Sequence, residues 1–176
     1  MLSNFEEAAR LVLTQAKKEM NELNHPYVSS EHLLLSILRI DEDIASRFKE
    51  YKIDYKRFKE EIIKTIGKGS KPSEWFLYTP LLKRIIENAI LDSKENNNGV
   101  VTVNHLFSSL LEEGEGVAIR VLIALDVDLD ELYNEFAYKL IHKKSYKKLM
   151  IEEYGIDLNE KALNGDLDPA TGREKE

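Results

Sequence analysis

Histidines, closely spaced aspartates, a glycine pair and many serines are the residues of this chain that could do chemistry, and in each case the spacing decides. His25, His32, His105 and His142 form no HExxH sequence and no i, i+4 pair, the spacing that sets two imidazoles on one helix face around a metal. They are read as packed or capping residues. Asp126, Asp128 and Asp130 open like a calcium loop, but Glu131 stands where the loop needs glycine and Ala137 where it needs a bidentate glutamate. A helix cap accounts for them better. Gly67 and Gly69 do not make a phosphate loop, because Pro72 and Glu74 follow them by five residues and no Gly-Lys-Ser/Thr is present. No GxSxG elbow surrounds a serine, and the chain has no cysteine, which removes thiolate nucleophiles, thiolate metal sites and disulfides together. The expectation is a chain with no catalytic residue, no cofactor and no metal.

What remains is a pair of helix starts. VSSEHLLLSIL from Val28 recurs as VTVNHLFSSLL from Val101, with His32 and His105 73 residues apart (105 − 32). Extending that register pairs Phe5 with Tyr78, Ala16 with Ala89, Ile37 with Leu110, Ala45 with Ala118 and Arg47 with Arg120. Beyond it the offset becomes 74, so that Tyr55, Phe58, Ile62 and Ile66 match Leu129, Leu132, Phe136 and Leu140. The repeat is therefore a whole structural unit. At its short-helix start, Ser29 and Ser30 present free N–H groups that favour an anion, and Glu31 offers a carboxylate to a guanidinium. The alternative reading keeps Ser29 as a cap and Glu31 as a favourably placed first-turn acid.

The elements that must hold these starts are helical. Phe5, Ala8, Ala9, Val12, Ala16, Met20 and Leu23 recur at three and four, with Ser3 and Glu6 spaced for a capping box. Pro26 breaks the next loop, Ser29 caps a short helix to about Leu38, a third runs from about Asp43 to Glu50, and Asp54 caps a fourth. The second copy repeats this plan, with Pro80 in a first turn and Thr102 as a cap. The fold class is all-α, as two tandem four-helix repeats in pseudo-two-fold relation, packed through the stripes of their first and fourth helices. Repeat one spans 2–67, a linker 68–77 ends in the apolar Trp75-Phe76-Leu77, and repeat two spans 78–142. Residues 143–176 form a lysine-rich linker and tail.

Length fits one medium domain of 176 residues, and 43% hydrophobic residues suffice for a core of that size. A formal charge of −7 and a pI near 5.3 disfavour binding to nucleic-acid phosphates. No segment approaches the length and apolarity of a membrane span or a secretory leader, so a soluble, cytoplasmic chain with protein partners is expected.

The paired EHLLL-type repeats, each about 70 residues, resemble the N-terminal (Clp repeat) domain of the Clp AAA+ unfoldases. The EGEGVAIRVL run over 113–122 is most similar to the ClpC type, and the tail over 153–174 resembles the junction into the first ATPase module, with the LDPxxGR signature at Leu167, Asp168, Pro169, Gly172 and Arg173. The resemblance implies a substrate- and adaptor-docking domain whose parent uses ATP and Mg to feed a ClpP-type peptidase. Its implied partners are MecA-type adaptors and substrates, arginine-phosphorylated ones among them, and the isolated domain is expected to be a monomer. No Walker motif is present, so no ATPase activity is expected of these residues. A free-standing Clp-repeat binding module is the alternative. Phosphoarginine recognition in the family rests on the Glu of the EH pair, which transfers to Glu31; the matching residue of the second copy is Asn104. The family's Thr after Phe is Glu6 in copy one and Thr79 in copy two. Taken copy by copy, each site keeps half of the pattern: Ser29, Ser30 and Glu31 with Glu6, and Thr102 and Asn104 with Thr79.

Overall fold

In a computed structural model describing residues 4–74 and 76–140, every regular element is helical. Copy one supplies α1 (Glu7–Glu22), α2 (Ser30–Ile40), α3 (Glu42–Lys49) and α4 (Tyr55–Ile66). Copy two supplies α5 (Pro80–Asn96), α6 (Val103–Glu113), α7 (Val117–Ala124) and a last segment, α8, over 129–140. Residues Met1–Tyr138 form one compact unit and Lys139–Glu176 another, of which only the first two residues are described. His142, the lysines from Lys143 to Lys148 and the LDPxxGR residues lie outside the described residues. Among the described residues no helix is long and apolar enough to cross a membrane.

Local chemistry starts most of the helices. Asp41 accepts the Ile44 N–H at 2.9 Å, Asp54 that of Arg57 at 2.8 Å, Thr79 that of Leu82 at 3.2 Å and Asp128 that of Glu131 at 3.0 Å. Each such cap stabilises its helix by about 1 kcal/mol. Asp128 is thus a cap, as the failed calcium pattern implied. The start of α1 differs from expectation. Glu6 is its N-cap and makes no side-chain capping bond, so it does not take the N3 place of the expected box, whose Ser3 lies outside the described residues. The cause is tertiary: Phe5 is held in a parallel bridge to Val101, with Val101 N–H donating to Asn4 O and Glu6 N–H to Val101 O, both at 2.9 Å.

The repeat register turns that bridge into half of a pair. The counterparts of Phe5 and Val101 are Tyr78 and Val28, and these are bridged too, with Val28 N–H to Leu77 O at 2.9 Å and Thr79 N–H to Val28 O at 3.0 Å. Each copy therefore lays its first residues beside the α2-type start of the other. The pseudo-two-fold is visible inside the helices as well: Ser36 donates to Val12 O at 2.5 Å and Ser109 to Ile85 O at 2.6 Å, while Lys52 and Asp126 share a left-handed φ of 63° and 62°.

The seam between the copies runs through α1 and α2 against α6 and through α2 and α4 against α7, not through first and fourth helices alone. Phe107 anchors it, edge-on to Phe48 of copy one at 5.8 Å and to Phe136 at 5.0 Å. Phe58, Ile62, Leu132 and Phe136 are buried as the stripes predict, but Ile66 is 41% exposed. The linker is tied down by its backbone. Gly69 N–H donates to Leu23 O at 2.8 Å, and a Cβ on Gly69 would stand 1.8 Å from Asn24 O, so only glycine allows this approach. Phe76 and Leu77 stay largely exposed, with Lys17 Nζ 3.9 Å over the Phe76 ring; Trp75 lies outside the described residues. Replacing Ile62 or Phe136 with Ala is expected to cost about 2–5 kcal/mol in urea unfolding, the range for deleting a large core side chain. A cost below about 0.5 kcal/mol, the surface range, would remove these positions from the core.

Candidate functional site

Ser29 enters α2 in extended conformation, and its N–H donates to His32 Nδ1 at 3.0 Å. That bond fixes the tautomer, because an acceptor Nδ1 leaves the proton of a neutral imidazole on Nε2. His32 Nε2–H then donates to His25 Nδ1 at 2.8 Å, and His25 Nε2–H donates to Gly67 O at 2.8 Å. Copy two makes a shorter version. Thr102 N–H donates to His105 Nδ1 at 3.0 Å, and His105 Nε2 donates to Asn96 Oδ1 at 2.7 Å. Burial pushes His32 down to about 3, helped by neighbouring His25, and His105 down to about 4.

Ligand atoms of His25, Glu31 and His32 lie within 4.8 Å of one another, a proximity that sequence spacing did not reveal. The hydrogen bonds nevertheless use all four ring nitrogens of the two histidines. A metal on His32 Nε2 would move the proton to Nδ1, where it would confront the Ser29 N–H. The two histidines are accounted for as a structural chain, which Glu31 does not join.

Above it opens a cleft of about 380 Å³, within the roughly 300–1,000 Å³ of small-molecule sites, lined among others by Ser29, Glu31, Thr79, Gly116, Val117 and Arg120. Ser29 Oγ and Thr79 Oγ1 share a hydrogen bond of 2.9 Å across the copies. The cleft thus receives the N-terminal ends of α2, α5 and α7, whose dipoles favour negative charge. Glu31 is only 6% exposed, its nearest side-chain donor is the Ser30 hydroxyl at 3.5 Å, and it forms no ion pair among the described residues. Burial raises its carboxyl above the usual range. Gly116 closes one side: it sits at φ 102°, and a Cβ there would meet Leu81 at 2.5 Å and Ser30 Oγ at 2.8 Å. Tyr27 and Ile66, both substantially exposed, add apolar wall.

The copy-by-copy pairing of site residues is therefore corrected. Because the copies exchange their first residues, Thr79 belongs with Ser29, Ser30 and Glu31, and Glu6 follows the bridge on the other side, its N–H donating to Val101 O at the start of the α6 segment. One position holds both halves of the expected pattern and the other holds neither. Thr102 and Asn104 do not line the cleft; Thr102 caps α6, with its hydroxyl accepting the His105 N–H at 3.3 Å. Residues that the sequence reading did not assign to the site are His25, Pro26, Tyr27, Ile66, Gly116, Val117 and Arg120. The EGEGVAIRVL run contained three of them.

A sequence profile described as the Clp repeat (R) N-terminal domain matches residues 4–95 and again 77–162. The chain belongs to the Clp N-terminal repeat family. A Clp protease ATP-binding subunit, the ClpA homolog of Cyanidium caldarium, is 36% identical over all of this chain and 22% of its own length. The ClpC subunit of Staphylococcus saprophyticus is 32% identical over 97% of this chain and 22% of its own length. This Clp N-terminal domain thus spans under a quarter of those relatives. Its fold matches the N-terminal domain of ClpD from Arabidopsis thaliana, at a TM-score of 0.68 and 22% identity over 80% of this chain and 99% of that one.

The histidine chains give this Clp domain an acid sensitivity of definite sign. His32 and His105 resist protonation when folded but accept protons near 6.5 when unfolded, so their contribution is intact above 6.5 and is lost as pH falls toward 4. Urea unfolding between pH 6 and 4.5 is expected to lose about 1.4 kcal/mol per pH unit for each histidine. His105→Gln, which keeps the capping-box geometry, should remove one histidine's share of that slope; an unchanged slope would show that His105 titrates normally.

Proposed function

We propose that this domain docks substrates and adaptors for an ATP-driven Clp unfoldase of the ClpC type, acting by binding and not by catalysis. ATP and Mg belong to the ring of the parent protein, which would pass captured proteins to a ClpP-type peptidase in the cytoplasm. Adaptors of MecA type and arginine-phosphorylated proteins are the partners, and the isolated domain is a monomer. The ClpC assignment draws on the EGEGVAIRVL run, three of whose residues, Gly116, Val117 and Arg120, line the cleft.

The observation that carries the reading is the composite cleft. A phosphoarginine carries its phosphoryl group directly on a guanidinium nitrogen, so both signs of charge fall within one compact group, and the cleft offers a buried carboxylate beside two hydroxyls and three helix starts. Glu31 would pair with the guanidinium, in surroundings where a charge-assisted bond is little screened by water. Ser29 and Thr79 stand at the phosphate side, where helix N-termini favour an anion, while Ser30 is fully buried outside the cleft lining with its hydroxyl toward Glu31. The second position, with Glu6 and Asn104, has an acid where the phosphate would lie and no charge for the guanidinium.

Titration of phosphoarginine, followed by backbone amide shifts, should move Ser30, Glu31 and Thr79 and leave Asn104 unmoved. Glu31→Ala is expected to weaken binding by about 1.5–3 kcal/mol, the worth of a hydrogen bond to a charged group. Asn104→Ala should change little, and Asn104→Glu alone should not open a second site, because Thr79 is not its neighbour; Glu6→Thr with Asn104→Glu should. Shifts centred on Val103 and Asn104 would reverse the assignment. Arginine, whose guanidinium keeps its charge, isolates the pH effect: its affinity should be constant near neutrality and fall on acidification, starting at a higher pH than for an exposed glutamate, as Glu31 protonates. Calorimetry with ATP and Mg should give dilution heat only, and saturable nucleotide binding would refute a purely docking role.

A further inference from the structure

Arg47 and Arg120 are counterparts in the repeat, yet their surroundings differ. Arg47 is spent: it pairs with Glu135 at 2.8 Å, Glu50 at 3.1 Å and Glu131 at 3.5 Å, and it lies over the Tyr51 ring. The positions on α4 that correspond to Glu131 and Glu135 are Arg57 and Glu61, so α4 cannot offer Arg120 the same pair of acids. Arg57 donates instead to Lys52 O at 2.9 Å, and Glu61 pairs with Lys64 at 3.4 Å. Arg120 stays exposed, lines the cleft, and its guanidinium has no hydrogen bond or ion pair among the described residues.

We propose that Arg120 is the specificity-determining residue of the cleft: it reads the anionic half of the ligand, so that Glu31 and Arg120 together select a ligand carrying both signs. Three observations meet here. Arg120 N–H bonds to Gly116 O at 3.0 Å, which puts the residue one turn inside α7. Helical side chains lean toward the N-terminus, so a long side chain at that position reaches back over the free N–H groups of the first turn. Those N–H groups line the same cleft as Glu31, which is 94% buried and makes no ion pair among the described residues, with the Arg120 charge near enough to favour its ionised form. A planar guanidinium can then take two phosphate oxygens at once, which a point charge cannot. At the second position the corresponding guanidinium, that of Arg47, is consumed by its acidic partners, so a site built there by Glu6→Thr with Asn104→Glu would lack this preference for the anion.

This rests on the cleft being an arginine-type ligand site, and the test separates the two ideas. The full chain is titrated with phosphoarginine and with arginine, for wild type, Arg120→Gln and Arg120→Lys. Wild type should prefer phosphoarginine. Arg120→Gln should lower phosphoarginine affinity by about tenfold or more while arginine affinity stays within about twofold, since one charge-assisted contact is lost from the phosphate side only. Arg120→Lys should recover part of the preference. If Arg120→Gln keeps the wild-type ratio, or weakens both ligands equally, Arg120 does not read the anion, and the cleft remains a guanidinium site. If neither ligand moves the Ser30 and Glu31 amides of the wild type, the reading of the cleft fails and this inference with it.

Discussion

Two short parallel bridges, Phe5 with Val101 and Val28 with Tyr78, are the constraint on which the arrangement depends. Each involves few hydrogen bonds, but they decide which residues become neighbours. Without them the start of α1 would follow its own capping sequence, and the start of α5 would have no reason to sit beside α2. With them, Thr79 caps α5 and at the same moment shares its hydroxyl with Ser29, so one side chain closes a helix and joins the copies. The cleft is a product of the pair of repeats and belongs to neither alone.

A shared scaffold with different charges makes the copies unequal. In copy one Glu19 is fully buried because Arg39 reaches it at 2.9 Å, Gln15 donates to it at 2.7 Å and the Tyr55 hydroxyl completes the set. The register places Asp92, Asn88, Glu112 and Leu129 at those positions in copy two. Asp92 and Glu112 are not fully buried, and desolvation together with neighbouring acids raises both carboxyls. The same logic separates Arg47 from Arg120. Where the opposite helix supplies acids, the arginine becomes structural; where it supplies Arg57, the arginine is left for something else.

Much of the fold was legible in the sequence because its determinants are local. The stripe Phe58–Ile62 and its copy Leu132–Phe136, the caps Asp54 and Thr102, and the proline at the head of α5 each act within one or two turns. Register, however, reports correspondence and not proximity. Pairing Glu31 with Glu6 assumed that a copy completes its own site, whereas a two-fold axis can just as well complete it from the other copy, and only the bridges distinguish the cases. Ile66 failed for a related reason: its period places it on the α4 stripe, but the helix ends beyond the core, and the residue becomes cleft wall. The His25–His32 contact depends on the path of the Asn24–Val28 loop, for which periodicity has no signal.

That loop also explains why the cleft is preformed. Its backbone is held from the α1 side by His25 N–H to Met20 O at 3.1 Å, from the linker by Val28 N–H to Leu77 O, and from within by the imidazole chain that ends on Gly67 O. The neighbouring Leu23 and Asn24 are in turn bound to Gly69. Together these bonds fix the backbone and the buried rings that lead into Ser29 and Glu31. Ordering a loop and its side chains costs free energy that otherwise subtracts from binding. Here that cost is met on folding, and the buried carboxylate already stands in place behind the cleft wall. The imidazole chain holds the α2 start by directional bonds, from Ser29 N–H at one end to Gly67 O at the other.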